Sequence, residues 1–454
     1  MDKYLSRSID QALLEWKDNP RRKPLLVRGA RQVGKSSTIR HLGKNFKYFL
    51  EVNVERNPEV MEFFKGSRDV KSIAAKLSDF FNVPVVPGET LLFLDEIQKC
   101  EDVIHSLWFF KEDYPELHVI AAGSLLEFAL KNLSSFGVGR VSSLFVYPMS
   151  FDEFLTATGQ EGLLRIKRNS SPTNPLPEAF YNRLVEAFRS YMLVGGMPEA
   201  VATYTETGSY RYSSDIVNEI IQGYQDDFAK YGAKANPLLL RQTLISVAHQ
   251  AGAKFVYSRV EGQYRSAEVK VALEMLKDAG LIIPTYHTDA NGVPLGAEIN
   301  ERVVKYLIHD TGVLLGILGI DDDIDERIKE MMVADSIDLV DKGHVAEMMA
   351  GLELIKYSSP QTRHQLYYWQ NMNKGTCAEV DYVIARSGSI VPIEVKSGVK
   401  GSMSSMYSLM RNPQKHIEMG IRCSLENFGT FASPDGKKID IIPLYAISNL
   451  FAEK

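Results

Sequence analysis

The sequence predicts an α/β protein. A parallel sheet wrapped by helices opens the chain, followed by a helical subdomain, a winged-helix-like module and a second α/β domain. Three observations carry that prediction. A glycine-rich loop sits between an apolar run and a helix-like stretch, an apolar strand further on ends in two acids, and strands alternate with helices up to about residue 158.

Pro24-Leu25-Leu26-Val27 reads as a buried strand, and the loop after it, Gly29 to Ser36, reads Gly-Ala-Arg-Gln-Val-Gly-Lys-Ser. A helix is expected from about Ser37-Thr38-Ile39. In such a loop the glycines let successive backbone N–H groups turn inward around phosphates, Lys35 reaches the β/γ oxygens, and the Ser36 hydroxyl ligates Mg²⁺. The expected nucleotide contacts are Gly29, Ala30, Arg31, Gln32, Val33, Gly34, Lys35, Ser36 and Ser37, and the expected ligand is ATP or GTP.

Thr90-Leu91-Leu92-Phe93-Leu94-Asp95-Glu96 is nearly all apolar and ends in two carboxylates. A continuous apolar run suits a strand buried on both faces of a parallel sheet, whose carboxyl end is where ligands bind. Asp95 is the expected second Mg²⁺ ligand and Glu96 the expected base that polarises water, because hydrolysis needs one carboxylate on the metal and another free. The next strand, Leu117 to Ala122, leads into Gly123-Ser124, making Ser124 a candidate sensor of the γ-phosphate; a simple strand-end cap is its alternative. Arg140, before the strand Leu144 to Tyr147, is a candidate for neutralising transition-state charge in its own subunit or a neighbour's. A plain surface arginine is the alternative there.

At 454 residues and 45% hydrophobic content, the chain has apolar material for two or three domains, and its net charge of −5 gives no global basic field. Nucleic-acid contact would have to come from local patches. Cys100, Cys377 and Cys423 are widely spaced, which predicts neither a disulfide nor a zinc site and suits a reducing cytoplasm. No apolar segment is long enough to predict a membrane span.

The expected domains are residues 1–158 for the nucleotide-binding part, 159–232 for the helical subdomain, 233–300 for the winged-helix-like module and 301–454 for the C-terminal domain. Lys167 to Pro175 reads as an exposed polar loop, and Gly195-Gly196-Met197-Pro198 as a sharp break. From Pro237 the pattern is helix, spacer, helix (Ser266 to Ala279) and then a wing. Arg259, Arg265, Lys270 and Lys277 are candidates for DNA contact; an interdomain spacer with solvated lysines is the alternative, and Glu261, Glu268 and Glu274, which dilute their charge, favour it.

Near the C-terminal end, Ala378 to Ile384 and Ile390 to Lys396 flank Arg386-Ser387-Gly388-Ser389, the form of a β-hairpin. A turn centred between Ser387 and Gly388 puts Asp381 opposite Glu394, with Lys396 on the same face. Two facing carboxylates repel unless a cation joins them, so Asp381 and Glu394 are candidate ligands for a divalent metal, Glu347 from the helix starting near Gly343 is a third, and Lys396 is a candidate for orienting or deprotonating water. A salt-bridged hairpin without catalysis is the alternative.

The loop, the Leu-Asp-Glu-Ile-Gln strand, the Gly-Ser turn, Pro148-Met149-Ser150-Phe151-Asp152-Glu153-Phe154, Gly195-Gly196-Met197-Pro198 and Asp310-Thr311-Gly312 together resemble the prokaryotic AAA-type P-loop ATPases fused to a C-terminal domain of unknown function. The constellation Glu347, Asp381, Glu394, Lys396 resembles the PD-(D/E)XK nuclease superfamily, implying a restriction-endonuclease-like C-terminal domain. One position departs from the group: Gln370 follows Trp369 where an arginine is expected.

The resemblance implies ATP rather than GTP, Mg²⁺ at the loop, a second Mg²⁺ or Mn²⁺ at the C-terminal site, nucleic acid as an expected partner with DNA ahead of RNA, and an expected ring-like homo-oligomer; the apolar runs predict no membrane partner. Two functions stay open. One is an ATPase coupled to a metal-dependent nuclease or nucleic-acid-processing domain; the other is a nucleotide-dependent switch or remodeller whose C-terminal domain is a non-catalytic scaffold.

Overall fold

A computed structural model describes residues 4–132, 139–231, 236–319, 342–371, 378–398 and 401–451. Cys377 lies outside them; Cys100 and Cys423 are both free thiols. The chain forms two units: Met1–Tyr147 with Asp278–Gly280 and Ser359–Arg363, and Pro148–Lys277 with Leu281–Ser358 and His364–Lys454.

Five strands build the first unit, β1 (Leu25–Arg28), β2 (Tyr48–Asn53), β3 (Thr90–Asp95), β4 (His118–Ala122) and β5 (Ser142–Phe145). They lie in the order β2-β3-β4-β1-β5, and every pairing is parallel. Parallel neighbours need crossovers, and the intervening helices supply them. The register Val27↔Ala122 and Leu94↔Ala121 aligns the carboxyl ends of β1, β4 and β3. The segments that follow these strands therefore leave the sheet along one edge. All six residues of β3 are buried, as its unbroken apolar run requires. Leu92, Leu94 and Val119 share a core with Ile73 and Leu77 of the helix Val70–Phe81 and with Val103 and Leu107 of the helix Glu101–Asp113.

The second unit begins with helices. Ser150 caps Phe151–Ala157 with a reciprocal capping box to Glu153, and Glu178–Val194, Pro198–Thr207 and Tyr210–Asp227 follow. Most of the segment 168–175 is exposed or half-buried as expected, but Lys167 at its start is not. Lys167 ends inside the helix Glu161–Arg168, fully buried, bonded to Asp152 and donating to Ser448 Oγ at 2.6 Å. A lysine looks polar in sequence whether or not a distant carboxylate waits for it.

Two sheets follow. The strands β6 (Ile282–Thr288), β7 (Ile299–Ile308), β8 (Leu366–Gln370) and β9 (Glu379–Val380) lie in the order β7-β6-β8-β9. The antiparallel β6–β7 hairpin takes the place of the expected wing, but β6 also pairs in parallel with β8, so the hairpin is built into a mixed sheet. The last sheet has β10 (Tyr382–Arg386), β11 (Ser389–Val395), β12 (Met419–Ser424), β13 (Gly429–Ala432) and β14 (Lys438–Pro443) in the order β10-β11-β12-β14-β13. Met406, Leu409 and Met410 of the helix Ser404–Arg411 pack with Val383, Ile390 and Ile439 from that sheet.

Candidate functional site

The loop after β1 is shaped by positive-φ backbone at Gly29, Gln32 and Gly34. Gly29 has φ 148°, and a Cβ there would stand 2.1 Å from the Val146 carbonyl oxygen. Gln32 and Gly34 take φ 63° and 93°, after which the helix Lys35–Gly43 begins. Ala30 and Val33 are buried, while Arg31, Gln32 and Ser37 face solvent. Arg7 braces the turn from outside, donating to Val33 O at 2.9 Å and to Tyr147 O at 2.7 Å. Lys35 folds back over the loop, with Nζ donating to Gly29 O at 2.9 Å and Ala30 O at 2.7 Å. Burial pushes its pKa down to about 8, against the opposing pull of Glu96 and Asp95.

Ser36 Oγ donates to Asp95 Oδ2 at 3.3 Å, which joins the two expected Mg²⁺ ligands directly. Asn53 Nδ2, at the end of β2, reaches the same oxygen at 3.4 Å. Burial and the neighbouring Glu96 raise the Asp95 pKa above the ordinary carboxylate value. A divalent ion reverses that penalty, because it stabilises the ionised form.

Glu96 turns away from the strand with φ 53°, a left-handed conformation uncommon outside glycine. Its Oε2 accepts from Ser124 Oγ at 2.9 Å, Ser124 N at 3.3 Å and Gln98 Nε2 at 2.5 Å. Gly123 makes room for this clamp, since a Cβ there would lie 2.0 Å from Gln98 Oε1. Glu96 and Ser124 are thus one hydrogen-bonded pair at the carboxyl edge. Arg140 ion-pairs with Glu112 at 2.8 Å and stacks over Trp108, so these contacts tie it to the helix Glu101–Asp113 and not to the loop.

A second polar cluster forms within the other unit. The β10–β11 register pairs Tyr382 with Ile393 and Arg386 with Ser389, so the turn centres on Ser387-Gly388 and Asp381 precedes β10 where Glu394 stands across from it. Asp381 Oδ2 accepts from Val395 N at 2.7 Å. Glu394 Oε1 accepts from Lys396 Nζ at 2.6 Å, while Glu394 Oε2 is buried and accepts no hydrogen bond among the described residues. Glu347 projects from the helix Lys342–Lys356, which Tyr382 ties down by donating to Glu347 O at 2.8 Å. Burial raises the Asp381 pKa well above the usual carboxylate range, and Glu347 and Glu394 push it further. Burial also raises Glu394, with Lys396 opposing.

Two members of this cluster escape sequence reasoning. Lys305 of β7 donates to Glu347 Oε1 at 2.8 Å and lies 2.6 Å from Oε1 of Glu379, the first residue of β9. Among the described residues no three Asp, Glu, His or Cys side chains gather closely enough to hold an ion by themselves. Glu347, expected as a third metal ligand, is instead paired with Lys305, and Glu394 Oε2 is the cluster's buried oxygen that accepts no hydrogen bond among the described residues. Gln98, Asn53 and Arg7 are likewise absent from the sequence-based site; only the Leu-Asp-Glu-Ile-Gln context placed Gln98 near it.

Residues 21–155 match the family model described as an AAA domain. Residues 185–324 and 342–447 match two models described as domains of unknown function, DUF8612 and DUF4143. No curated protein matches the chain. Among solved structures, a Walker-type ATPase of Pyrococcus abyssi is similar at 16% identity with a TM-score of 0.43, covering 69% of this chain and 96% of that one. The Aeropyrum pernix ORC1 protein in complex with DNA is similar at 13% identity with a TM-score of 0.30, covering 73% of this chain and 95% of that one. Similarity that low decides nothing about function. The AAA match and the parallel sheet agree on an AAA-type P-loop ATPase domain in the first unit. No helix among the described residues is long and apolar enough to cross a membrane.

Proposed function

We propose that this protein hydrolyses ATP at the loop of residues 29–37 and couples that turnover to a metal-dependent nucleic-acid-processing site built on Asp381, Glu394 and Lys396. The observation that carries the ATPase reading is the Ser124–Glu96 hydrogen bond beside the Ser36–Asp95 pair. It keeps one carboxylate for metal and holds the other ready as a base. Loop amides and Lys35 hold the β- and γ-phosphates, and Ser36 and Asp95 hold Mg²⁺. Mg²⁺, when bound, would supply charge neutralisation at the phosphates. Glu96 takes a proton from the water whose oxygen bonds to the γ-phosphorus as the β–γ bridging bond breaks. Ser124 and Gln98 fix where that carboxylate oxygen points.

At the second site Asp381 and Glu394 would be the residues to hold a divalent ion, which would supply Lewis acidity for phosphodiester chemistry. Lys396, bonded to Glu394, orients the attacking water. Glu347 is a supporting member, and the loop site's Arg140 acts only where its Glu112 pairing is given up to a neighbouring subunit. The basic residues of the helix Ser266–Asp278 and its approach are candidates for DNA contact, the partner that suits this chemistry.

The competing reading, a nucleotide-driven switch with a non-catalytic C-terminal scaffold, is favoured by one observation: Glu347 is already spoken for by Lys305. The two readings separate in one experiment. Plasmid, linear and single-stranded DNA are incubated with Mg²⁺ or Mn²⁺, with and without ATP, beside Lys35→Ala and Lys396→Ala. Cleavage lost in Lys396→Ala supports the nuclease reading, and its loss in Lys35→Ala shows ATP coupling. Absence of cleavage with ATP turnover intact supports the switch.

A further inference from the structure

The phosphate loop is backed from outside at successive residues. Gly29 lies so close to Val146 O that a Cβ there would stand 2.1 Å from it, and Val33 O accepts from Arg7. Ala30 is buried, and its carbonyl accepts from Lys35 Nζ at 2.7 Å. It rests on a residue that arrives from far along the chain. That residue is Gly280: a Cβ built on it would stand 3.1 Å from Ala30 N and 3.3 Å from Ala30 Cα and Cβ.

Gly280 lies between the helix Ser266–Asp278 and β6, and its neighbours make a firm backing. Asp278 is buried and pairs at 2.5 Å with Lys131, on the helix Leu126–Asn132 that follows Ser124. Leu281 N donates to Leu276 O at 3.0 Å, closing the helix end, and Leu281 O accepts from His309 N at 3.1 Å. The left-handed turn, φ 76°, accounts for a glycine on its own. The close approach to Ala30 is a separate demand, because a Cβ there must push the loop by a few tenths of an ångström.

We propose that Gly280 is a positioning residue of the nucleotide site: the bare backbone at this turn supports the Gly29–Ala30 peptide and so fixes the width of the cradle that receives the phosphates. Lys35 gives up Gly29 O and Ala30 O when its ammonium turns to the phosphates, and the support from Gly280 is what then keeps that peptide in place. Asp95 and Glu96 are carried by β3 and Ser124 by the segment after β4, so the hydrolytic pair keeps its geometry when Ala30 moves. A side chain at position 280 therefore acts on binding more than on the chemical step.

The inference rests on the ATP-site reading above. Full-length Gly280→Ala is compared with the unaltered protein and with Gly208→Ala, ATP affinity being measured by calorimetric titration in EDTA and turnover with Mg²⁺. Gly208 ends the helix Pro198–Thr207 at φ 68°, and a Cβ there meets nothing within 4 Å, so its alanine variant carries the same kind of backbone strain without touching the loop. Both variants should lower Tm alike. Gly280→Ala alone should weaken ATP binding and raise KM by about three- to tenfold, with kcat at saturating ATP little changed. Gly280→Asn, which tolerates the left-handed turn while bringing the same Cβ, serves if the alanine variant does not fold. ATP affinity in the Gly280 variants equal to that of the unaltered protein, or an equal loss in Gly208→Ala, overturns the positioning role alone. No ATP binding by the unaltered protein overturns the ATP-site reading and the inference with it.

Discussion

The Lys35 ammonium is held below its ordinary acidity range before any nucleotide arrives, and this makes ATP affinity depend on pH with a calculable slope. Burial lowers its pKa from 10.5 to about 8. A bound triphosphate places negative oxygens against the ammonium and raises the value again, so binding is coupled to proton uptake above neutrality. With the free pKa at about 8, Lys35 is charged in about nine-tenths of molecules at pH 7, about half at pH 8 and about a tenth at pH 9. ATP should consequently bind about tenfold more weakly at pH 9 than at pH 7, a loss of about 1.4 kcal/mol. Calorimetric titration with EDTA present measures this without turnover. Repeating it at pH 8 in buffers of different ionisation enthalpy should show uptake of about half a proton per ATP. In Lys35→Arg, where the charge is permanent, the slope should vanish. Equal affinity at pH 7 and 9 in the unaltered protein, or an equal slope in Lys35→Arg, would refute the coupling.

Other expectations follow from the same geometry. Gln98→Ala should lower kcat for ATP by about ten- to a hundredfold with nucleotide affinity unchanged, because it loosens Glu96 without touching the phosphates; a weakened Kd at constant kcat would count against that role. Asp381 and Glu394 have raised pKa values in the fold, so the folded state binds protons more tightly than the unfolded chain and metal-free stability must fall as pH rises from about 4 through the raised values. Melting temperatures in EDTA should therefore drop as pH rises above the ordinary carboxyl range of about 4, and Asp381→Asn, which removes a buried titrating carboxyl and its repulsion with Glu347 and Glu394, should shrink that drop; an identical drop in both proteins would show that Asp381 does not carry it. Lys167→Met leaves Asp152 buried without its lysine and should destabilise the second unit by about 3–5 kcal/mol in denaturant unfolding. A change within about 0.5 kcal/mol would show the pair contributes little.

What the sequence makes legible is what sits close together along it. The loop, Asp95-Glu96 and Gly123-Ser124 each lie at a strand's end, and a parallel sheet brings such ends together whatever the intervening helices do. The Asp381–Glu394 juxtaposition is readable as well, because a two-residue turn at Ser387-Gly388 fixes the register for every pair above it. Lys305 is not readable. It meets Glu347 across 42 residues, from a strand to a separate helix, a contact no local pattern announces. Arg7 reaches Val33 and Tyr147 by backbone carbonyls, which every residue has, so no side-chain pattern marks its partners. Lys167 fails in the opposite sense: its charge suggests solvent, and only the fold reveals Asp152 and Ser448 around it.

The first unit is discontinuous in sequence, and that governs how it is made. Lys131 finds its carboxylate in Asp278 at 2.5 Å, and Phe145 N, at the end of the edge strand β5, donates to Pro360 O at 2.8 Å. A ribosome that has released only the first 158 residues has therefore delivered the whole phosphate loop and all five strands, yet neither of those partners. The ATPase sheet waits, with one edge unfinished, until about residue 363 emerges. Shortened versions of this protein that stop at the end of the AAA match should accordingly express as aggregating or protease-sensitive chains, and the full-length protein should not.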